Sequence, residues 1–209
     1  MSRLDSVVAF NLTEIRTALT RSRRAIISVA LVYAISVAVG AIMVHAGFQP
    51  ALQYRDSLIA RARANDPALI AYNNGDVLLA ALIDFTQNLL VGAVPSTLSG
   101  MGVVFAYPFI AHRGWVGGIV SVNDLHVSRL ATPYGALYYL LTLTLQLVPY
   151  SLAGGVGVNM GLAYFRTPAH YQGERWLGIP KEAVLDTLRA YALIVPWFLV
   201  ASLWEFLAT

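Results

Sequence analysis

Long apolar stretches separated by short polar segments dominate this chain. The first stretch, AIISVALVYAISVAVGAIMV at 25–44, carries no charge and has about the length that a helix needs to cross a bilayer. It begins too late and runs too long for the apolar core of a cleaved signal peptide. Ahead of it, residues 1–24 place apolar side chains at helical spacing, which predicts an amphipathic helix on the cytoplasmic membrane surface.

The middle of the chain predicts two further crossings. Residues 77–112 are apolar almost throughout, and one helix of that length would be too long for a bilayer. Pro95 lies near the midpoint and lacks an N–H group, so we predict a tight turn there. The polar segment before this run predicts a short extracytoplasmic helix over 51–64, followed by a turn at 65–67.

The second half of the chain is divided less sharply. Residues 112–135 predict a connection whose short apolar part is typical of a re-entrant or interfacial element. The apolar run 135–165 fits either one kinked crossing or two short helices divided at Pro149. A helix start at Pro180 then leads into a last crossing over 189–207.

The composition indicates that lipid covers this chain. Hydrophobic residues make up 57% of the sequence and charged residues only 12%, whereas soluble domains carry roughly 25% charged residues. We therefore predict an all-α fold, a polytopic transmembrane helix bundle of five to six spans with broken helices. Five spans are favoured, with the C-terminus outside. The predicted parts are the N-terminal helix, 1–24, and a single transmembrane domain, 25–209.

Basic residues flank the apolar runs unevenly. They cluster before the first run and again over 166–189, as Arg16, Arg21, Arg23, Arg24, Arg166, Arg175, Lys181 and Arg189. By the positive-inside rule, both segments face the cytoplasm, which places the N-terminus on the cytoplasmic side of the membrane. This distribution marks membrane flanks and predicts no nucleic-acid interface.

The sequence lacks the patterns of catalytic and metal-binding sites. It contains no cysteine, which excludes disulfides and thiolate metal sites. Its four histidines show no metal-ligand spacing such as HExxH, and no GxSxG motif occurs. We therefore predict a non-enzymatic protein without catalytic residues, cofactor or metal.

Polar residues inside the apolar runs are the candidates for a functional site. Asp84 and Asn88 are four residues apart and share a helix face. An acid within a membrane helix costs about 3 kcal/mol on insertion scales, so Asp84 suggests a function, whereas Asn88 suits a hydrogen bond between helices. Gln146 and Asn159 are further intramembrane candidates, and Glu205 is expected to be a solvated anchor near the interface.

A glycine-rich stretch, SLAGGVGVNMG at 151–161, raises the alternatives of a phosphate loop and a helix-packing seam. No strand precedes it, and its spacing does not match GxGxxG. Gly157 and Gly161 form a GxxxG pair, and Gly154 extends the same face by one turn. The stretch therefore predicts close helix packing after a kink at Pro149.

Three segments carry motifs that together resemble a known family. They are NLLVGAVPSTLSGMGVVFAYPFIAHRGWVGG at 88–118, LTLQLVPYSLAGGVGVNMGLAYFR at 143–166, and LRAYALIVPWFLVASLWEF at 188–206. They resemble the central block, the glycine-rich block and the last helix of the stage II sporulation protein M family, and Glu205 falls on a recurrent acid. The family's His-Gly pair falls on Thr142 and Leu143, and its glutamate falls on Gln146, which does not titrate.

The resemblance implies a bacterial or archaeal multi-pass membrane protein. Its sporulation members act with peptidoglycan hydrolases as a membrane scaffold, while most members have no assigned activity. The first hypothesis is accordingly a non-enzymatic scaffold or assembly partner. Its partners would be the lipid bilayer and either further copies of itself, as a homo-oligomer, or other membrane or envelope proteins. The alternative is a transporter or channel component with a polar intramembrane site near Asp84, Asn88 and Gln146, with helices broken at prolines.

Overall fold

The structure is a computed structural model that describes residues 11–123 and 125–208, and it is built almost entirely of helices. A π-helical segment, Asn88–Ala93, joins α4 to α5, and two short strands form a hairpin before the last helix. The elements are α1 Leu12–His45, α2 Gln49–Asn65, α3 Pro67–Asn73, α4 Val77–Gln87, α5 Val94–Met101, α6 Ala106–Ile119, α7 Pro133–Phe165, β1 Arg175–Trp176, β2 Ile179–Pro180 and α8 Lys181–Leu207.

Four helices in the described part of the chain are long and apolar enough to cross a membrane. They are α1, the continuous unit Val77–Met101, α7 and α8. The all-α class and the membrane character are therefore confirmed, whereas the count of five to six spans is not. Helix α6 has 14 residues and so extends about 21 Å, which is less than the hydrocarbon thickness of a bilayer.

Helix α1 runs without a break from Leu12 to His45. The predicted surface helix and the predicted first span are thus one helix in the structure, and residues 1–10 of that prediction lie outside the described residues. Buried positions recur every three or four residues, at Ile15, Ala18, Ser22, Ala25, Val29 and Tyr33. Because this stripe continues across the predicted boundary, the same helix face packs against the bundle on both sides of it.

The predicted turn at Pro95 is wrong, because the helix continues through this residue to Met101. The π-helical segment immediately before it provides the physical reason. There the Val94 N–H donates to the Leu89 carbonyl, five residues back. The hydrogen bonds of the helix are therefore already shifted from the regular i to i+4 pattern before Pro95, which has no N–H to donate. The chain turns later, over 102–105, where Val103 adopts a left-handed φ of 53°.

Helix α6 occupies the first part of the predicted connection. It ends at Ile119, so the connection to α7 begins there and not at residue 112. This connection contains an isolated bridge between Val122 and Ser128 and a short 3₁₀ turn, Arg129–Ala131. This helical first part of the predicted connection packs against α1 through small residues, as described below.

Helix α7 settles the alternatives left open for 135–165, because it is one helix of 33 residues with Pro149 inside it. The predicted start of the last helix near Pro180 is confirmed, since α8 begins at Lys181. The α2–α3 pair also matches the prediction: α2 ends at Asn65, and the Asp66 side chain caps α3 by accepting a hydrogen bond from the Ala68 N–H.

Helices α1 and α8 begin at the same end of the bundle. Arg21 of α1 lies 3.1 Å from the carboxylate of Asp186 on α8, and Arg189 lies 3.3 Å from Glu14. The C-terminal end of α8 lies instead beside the start of α7, where the Tyr134 hydroxyl donates to the Ala208 carbonyl. The two helices therefore run parallel, and the described chain begins and ends at opposite ends of the bundle.

Glycines allow neighbouring helices to touch at the backbone. A Cβ atom at Gly157 would lie 2.2 Å from the Thr97 carbonyl oxygen, and one at Gly161 would lie 2.4 Å from that of Met101. Gly154, by contrast, faces side chains of α1 and α6. A second seam, which the sequence analysis missed, joins α6 to α1: a Cβ at Gly118 would lie 2.1 Å from the Val37 carbonyl oxygen.

Candidate intramembrane binding site

A cavity of about 780 Å³ lies inside the helix bundle. Helices α1, α4, α6, α7 and α8 and the π-helical segment all contribute to its wall, and its polar residues include Tyr33, Asp84, Asn88, Arg113, Arg129, Tyr138, Tyr139, Thr142, Gln146, Tyr150 and Glu205. Leu58, Ile59 and Leu69 of α2 and α3 also line it, which places its mouth at the end of the bundle where α1 finishes. Asp84 and Gln146, predicted as candidates from separate runs, thus face one cavity.

Asp84 is held by two neutral donors. The Asn88 side chain donates to the Asp84 carboxylate over 2.9 Å, as their four-residue spacing allows. The Ser202 hydroxyl of α8 donates to the same oxygen over 2.6 Å. Asp84 therefore links α4 to α8 in the interior of the bundle, and its hydrogen-bond donors are neutral groups.

Tyr150 connects this pair to an arginine on α6. Its hydroxyl donates to the Asn88 side-chain oxygen over 2.6 Å and accepts from Arg113 over 2.6 Å. The guanidinium also stacks on the Tyr150 ring, with its central carbon 4.5 Å from the ring centroid. A continuous hydrogen-bonded chain thus runs from Arg113 through Tyr150 and Asn88 to Asp84.

The π-helical segment makes a second attachment for Arg113. The other terminal nitrogen of Arg113 donates to the Val91 carbonyl over 3.2 Å. Val91 is four residues before Pro95, so its carbonyl has no i+4 N–H to accept in a regular helix. Because Pro95 has no N–H, the Val91 carbonyl is available to accept the hydrogen bond from Arg113.

Glu205 and Gln146 form the other polar pair of the cavity. The Gln146 amide nitrogen donates to the Glu205 carboxylate over 3.4 Å, and the Gln146 amide oxygen is buried without a hydrogen-bond partner. The sequence predicts a solvated anchor for Glu205, but the structure turns its carboxylate inward onto α7. Nearby, the Trp204 indole donates to the Thr142 hydroxyl over 3.1 Å.

Asn159 lies outside this site. Its side chain donates to the Tyr171 hydroxyl over 2.8 Å, and that hydroxyl donates in turn to the buried carboxylate of Asp186 over 3.0 Å. Burial raises the pKa of Tyr171, and the nearby Asp186 charge raises it further. The group belongs to the end of the bundle where α1 and α8 begin, so Asn159 ties α7 to the segment before α8.

The glycine candidates also lie away from the cavity: Gly157 and Gly161 lie on the seam with α5, and Gly154 faces side chains of α1 and α6. The site residues that the sequence analysis missed are Arg113, Tyr150 and Ser202. The available signal for Arg113 is a charged residue directly after the apolar run 77–112, a position that does not by itself distinguish a solvated helix end from a buried site. Tyr150 and Ser202 carried no signal, because both are common in apolar helices.

Helix α2 is clamped to the connection that lies at the cavity mouth. Arg55 is 1% exposed and donates to the carbonyls of Val122 and Asn123. It also pairs with Asp56, and this hydrogen bond holds the pKa of the Asp56 carboxyl below its usual range. His126 contacts the other side of Asp56 over 3.4 Å. These contacts fix the segment that carries Arg129 into the cavity wall.

Comparisons with family models, curated proteins and solved structures bear on identity. None of the three gave a match for this chain. The resemblance to the stage II sporulation protein M family therefore stays a prediction, and functional inference rests on the site geometry. Within residues 11–123 and 125–208, no group of three or more histidine and acidic side chains is arranged to hold a metal ion.

Proposed function

We propose that this chain is a multi-pass membrane transport protein that binds a polar solute in the cavity between its helices. The observation that carries the proposal is the convergence of Asp84, Asn88, Gln146 and Glu205, from three separate segments, on one cavity of about 780 Å³. Ligand sites in proteins have volumes of about 300–1,000 Å³. The proposal assigns no catalytic step to the chain.

The cost of the polar groups supports this function. Each charged side chain near the middle of a membrane helix costs about 3 kcal/mol on insertion scales. The cavity contains Asp84, Glu205 and Arg113 within or between helices that are otherwise apolar. Asp84 and Arg113 also link helices, and the proposal assigns the further benefit of these costly groups to a solute pathway.

Five crossings, as the sequence favours, are part of the proposal. Helices α1 and α8 run parallel, so the intervening chain crosses the bundle an odd number of times. The unit Val77–Met101, α6 and α7 supply these three crossings if α6 counts as a short one. Helix α6 packs against α1, and because α6 is short, α2 and α3 can lie beyond its C-terminal end.

Orientation follows from charge. Arg16, Arg21, Arg23 and Arg24 lie at the start of α1, and this end is proposed to face the cytoplasm of a prokaryotic inner membrane. The cavity mouth beside α2 and α3 then opens to the opposite, extracytoplasmic face. A solute would enter from outside and reach Asp84 and Glu205 at the depth of the bundle interior.

We favour transport over the scaffold hypothesis because of where the small residues lie. Gly157 and Gly161 contact α5 of the same chain, and Gly118 contacts α1. These seams are used within one copy, so they are not available as contacts to other membrane proteins or to a second copy. The scaffold hypothesis thus loses one of the features that motivated it.

The absence of cysteine allows a direct test of the cavity. Thr142 lines it, whereas Thr144 on the same helix is exposed on the outer surface of the bundle, where lipid would cover it. Each is replaced by cysteine, and reconstituted vesicles are treated with a membrane-impermeant, charged thiol reagent. Thr142→Cys is expected to react and Thr144→Cys to stay protected, because only the first side chain contacts water.

Two outcomes would contradict the proposal. If Thr142→Cys stays unreacted in intact vesicles but reacts after denaturation, the bundle is closed and dry. If both variants react at the same rate, the difference between cavity wall and lipid-facing surface does not exist. The side from which labelling occurs also tests the proposed extracytoplasmic mouth.

A further inference from the structure

The two carboxylates of the cavity lack cationic hydrogen-bond donors. Asp84 accepts from Asn88 and Ser202, and Glu205 accepts from Gln146, all of which are neutral. A neutral donor stabilises a carboxylate less than a charged donor does. Beside Glu205, the Gln146 amide oxygen is a buried acceptor with no partner. The cavity therefore offers two carboxyl groups and an unpaired amide oxygen as hydrogen-bond acceptors.

The cavity wall is also rich in aromatic rings. Tyr33, Phe109, Tyr138, Tyr139 and Tyr150 all line it. The faces of such rings attract cations, and the attraction is strongest when the site excludes water. Carboxylates combined with aromatic faces are the chemistry by which proteins recognise ammonium groups.

The two terminal nitrogens of Arg113 are already engaged by the protein. One terminal nitrogen of Arg113 donates to Tyr150 and the other to the Val91 carbonyl. Its guanidinium also stacks against the Tyr150 and Phe109 rings, at 4.5 and 5.3 Å from their centroids. Both terminal nitrogens of the guanidinium are thus engaged by the protein itself, and its Nε–H is the one nitrogen that is buried without a hydrogen-bond partner. Arg129 lies at the exposed mouth, where solvent screens its charge.

We infer that the solute is an organic cation with an ammonium group, bound between Asp84 and Glu205 against the tyrosine rings. This inference rests on the proposed function and adds the chemical class of the solute. The ammonium N–H groups would donate to the two carboxylates and to the Gln146 oxygen. The carbon part of the solute would lie against the aromatic and apolar wall.

Three probes of similar shape and different charge test the inference. They are phenethylammonium, phenylacetate and 2-phenylethanol, each titrated into the detergent-solubilised chain by calorimetry at neutral pH. Phenethylammonium is expected to bind at least about tenfold more tightly than the other two, because only it supplies a charge complementary to the desolvated carboxylates.

Matched variants localise the effect. Asp84→Asn and Glu205→Gln keep side-chain size and are each expected to weaken phenethylammonium binding about tenfold or more. The controls Asp76→Asn and Glu174→Gln change exposed acids outside the cavity and are expected to leave the affinity within about twofold. Thiol labelling of Thr142→Cys in each variant background reports whether the cavity persists.

The outcomes separate the class of solute from the function. If phenylacetate or 2-phenylethanol binds as tightly as phenethylammonium, or if no probe binds although Thr142→Cys is labelled, the cation inference is overturned and the cavity proposal stands. If control variants weaken binding as much as the cavity variants, the binding is not at this site and the inference is overturned. If Thr142→Cys is not labelled, the proposed function itself fails.

Discussion

Replacing Gly157 by alanine is expected to destabilise the bundle by forcing α5 and α7 apart. The new Cβ would lie 2.2 Å from the Thr97 carbonyl oxygen, whereas carbon and oxygen approach to about 3.3 Å in close helix contacts. The helices must therefore separate locally by about 1 Å. Thr97 also donates to the Ala153 carbonyl over 3.0 Å, so its displacement strains a buried hydrogen bond.

The magnitude follows from opposing contributions. Overpacking of this kind costs about 1–3 kcal/mol, and a weakened buried hydrogen bond costs about 1 kcal/mol. Alanine restores about 1 kcal/mol through its higher helix propensity. We expect a net loss of about 1–3 kcal/mol in the free energy of unfolding of Gly157→Ala.

The matched control is Gly154→Ala in the same helix. Its Cβ would meet side-chain atoms and no backbone, the nearest being a Val29 methyl at 3.1 Å, so a smaller displacement than at Gly157 relieves the contact. Its free energy of unfolding is expected to change by less than about 1 kcal/mol, because the propensity gain offsets the contact. Unfolding by SDS, followed by tryptophan fluorescence, measures both variants. If Gly157→Ala resists SDS as well as Gly154→Ala does, the close backbone contact between α5 and α7 is refuted.

Three further predictions concern the polar contacts outside the cavity. Arg55→Met is expected to raise the rate of proteolysis in the 120–131 connection about tenfold or more, because it leaves two carbonyls without their donor. The control Arg61→Met, an exposed change on the same helix, is not expected to raise it. Equal cleavage of the two variants would contradict the contact between α2 and the connection. Arg55 lowers the pKa of Asp56, so their pairing stabilises the fold at pH values above the ordinary aspartate pKa. This stabilisation is lost as the pH falls through the lowered pKa. Carboxyl NMR should show that the pKa of Asp56 rises in Arg55→Met, and an unchanged pKa would refute the pairing. Tyr171→Phe is expected to cost about 1–3 kcal/mol by removing the donor to a buried carboxylate, whereas the exposed Tyr164→Phe should cost little in the same SDS titration.

Local patterns predicted the parts of the fold that depend on neighbouring residues. The spacing of Asp84 and Asn88 indicated a shared face, and the structure joins their side chains at 2.9 Å. The GxxxG pair at Gly157 and Gly161 indicated close packing, and the structure places both against α5 backbone. The partner helix was not predictable, because it lies far away in sequence and no local pattern specifies it.

Prediction failed where one residue type permits two structures. Pro95 breaks a regular helix, but a preceding π-helical segment accommodates it, and the sequence does not reveal such a segment. Glu205 lies near the end of α8, and this position predicted a solvated side chain. The side chain lies on the face of α8 that packs against α7, where it contacts Gln146. For Glu205 the rotation of the helix, set by long-range packing, decided the outcome.

The shortness of α6 has a consequence for biosynthesis. With 14 residues and Arg113 in its middle, this helix has too little apolar length to partition into a bilayer alone. Its Gly114 and Gly118 backbone packs directly against α1, which leaves the ribosome before α6. Under the five-crossing proposal, α6 inserts into the membrane by packing against α1, which is already in place. Truncation of α1 would therefore prevent the insertion of α6.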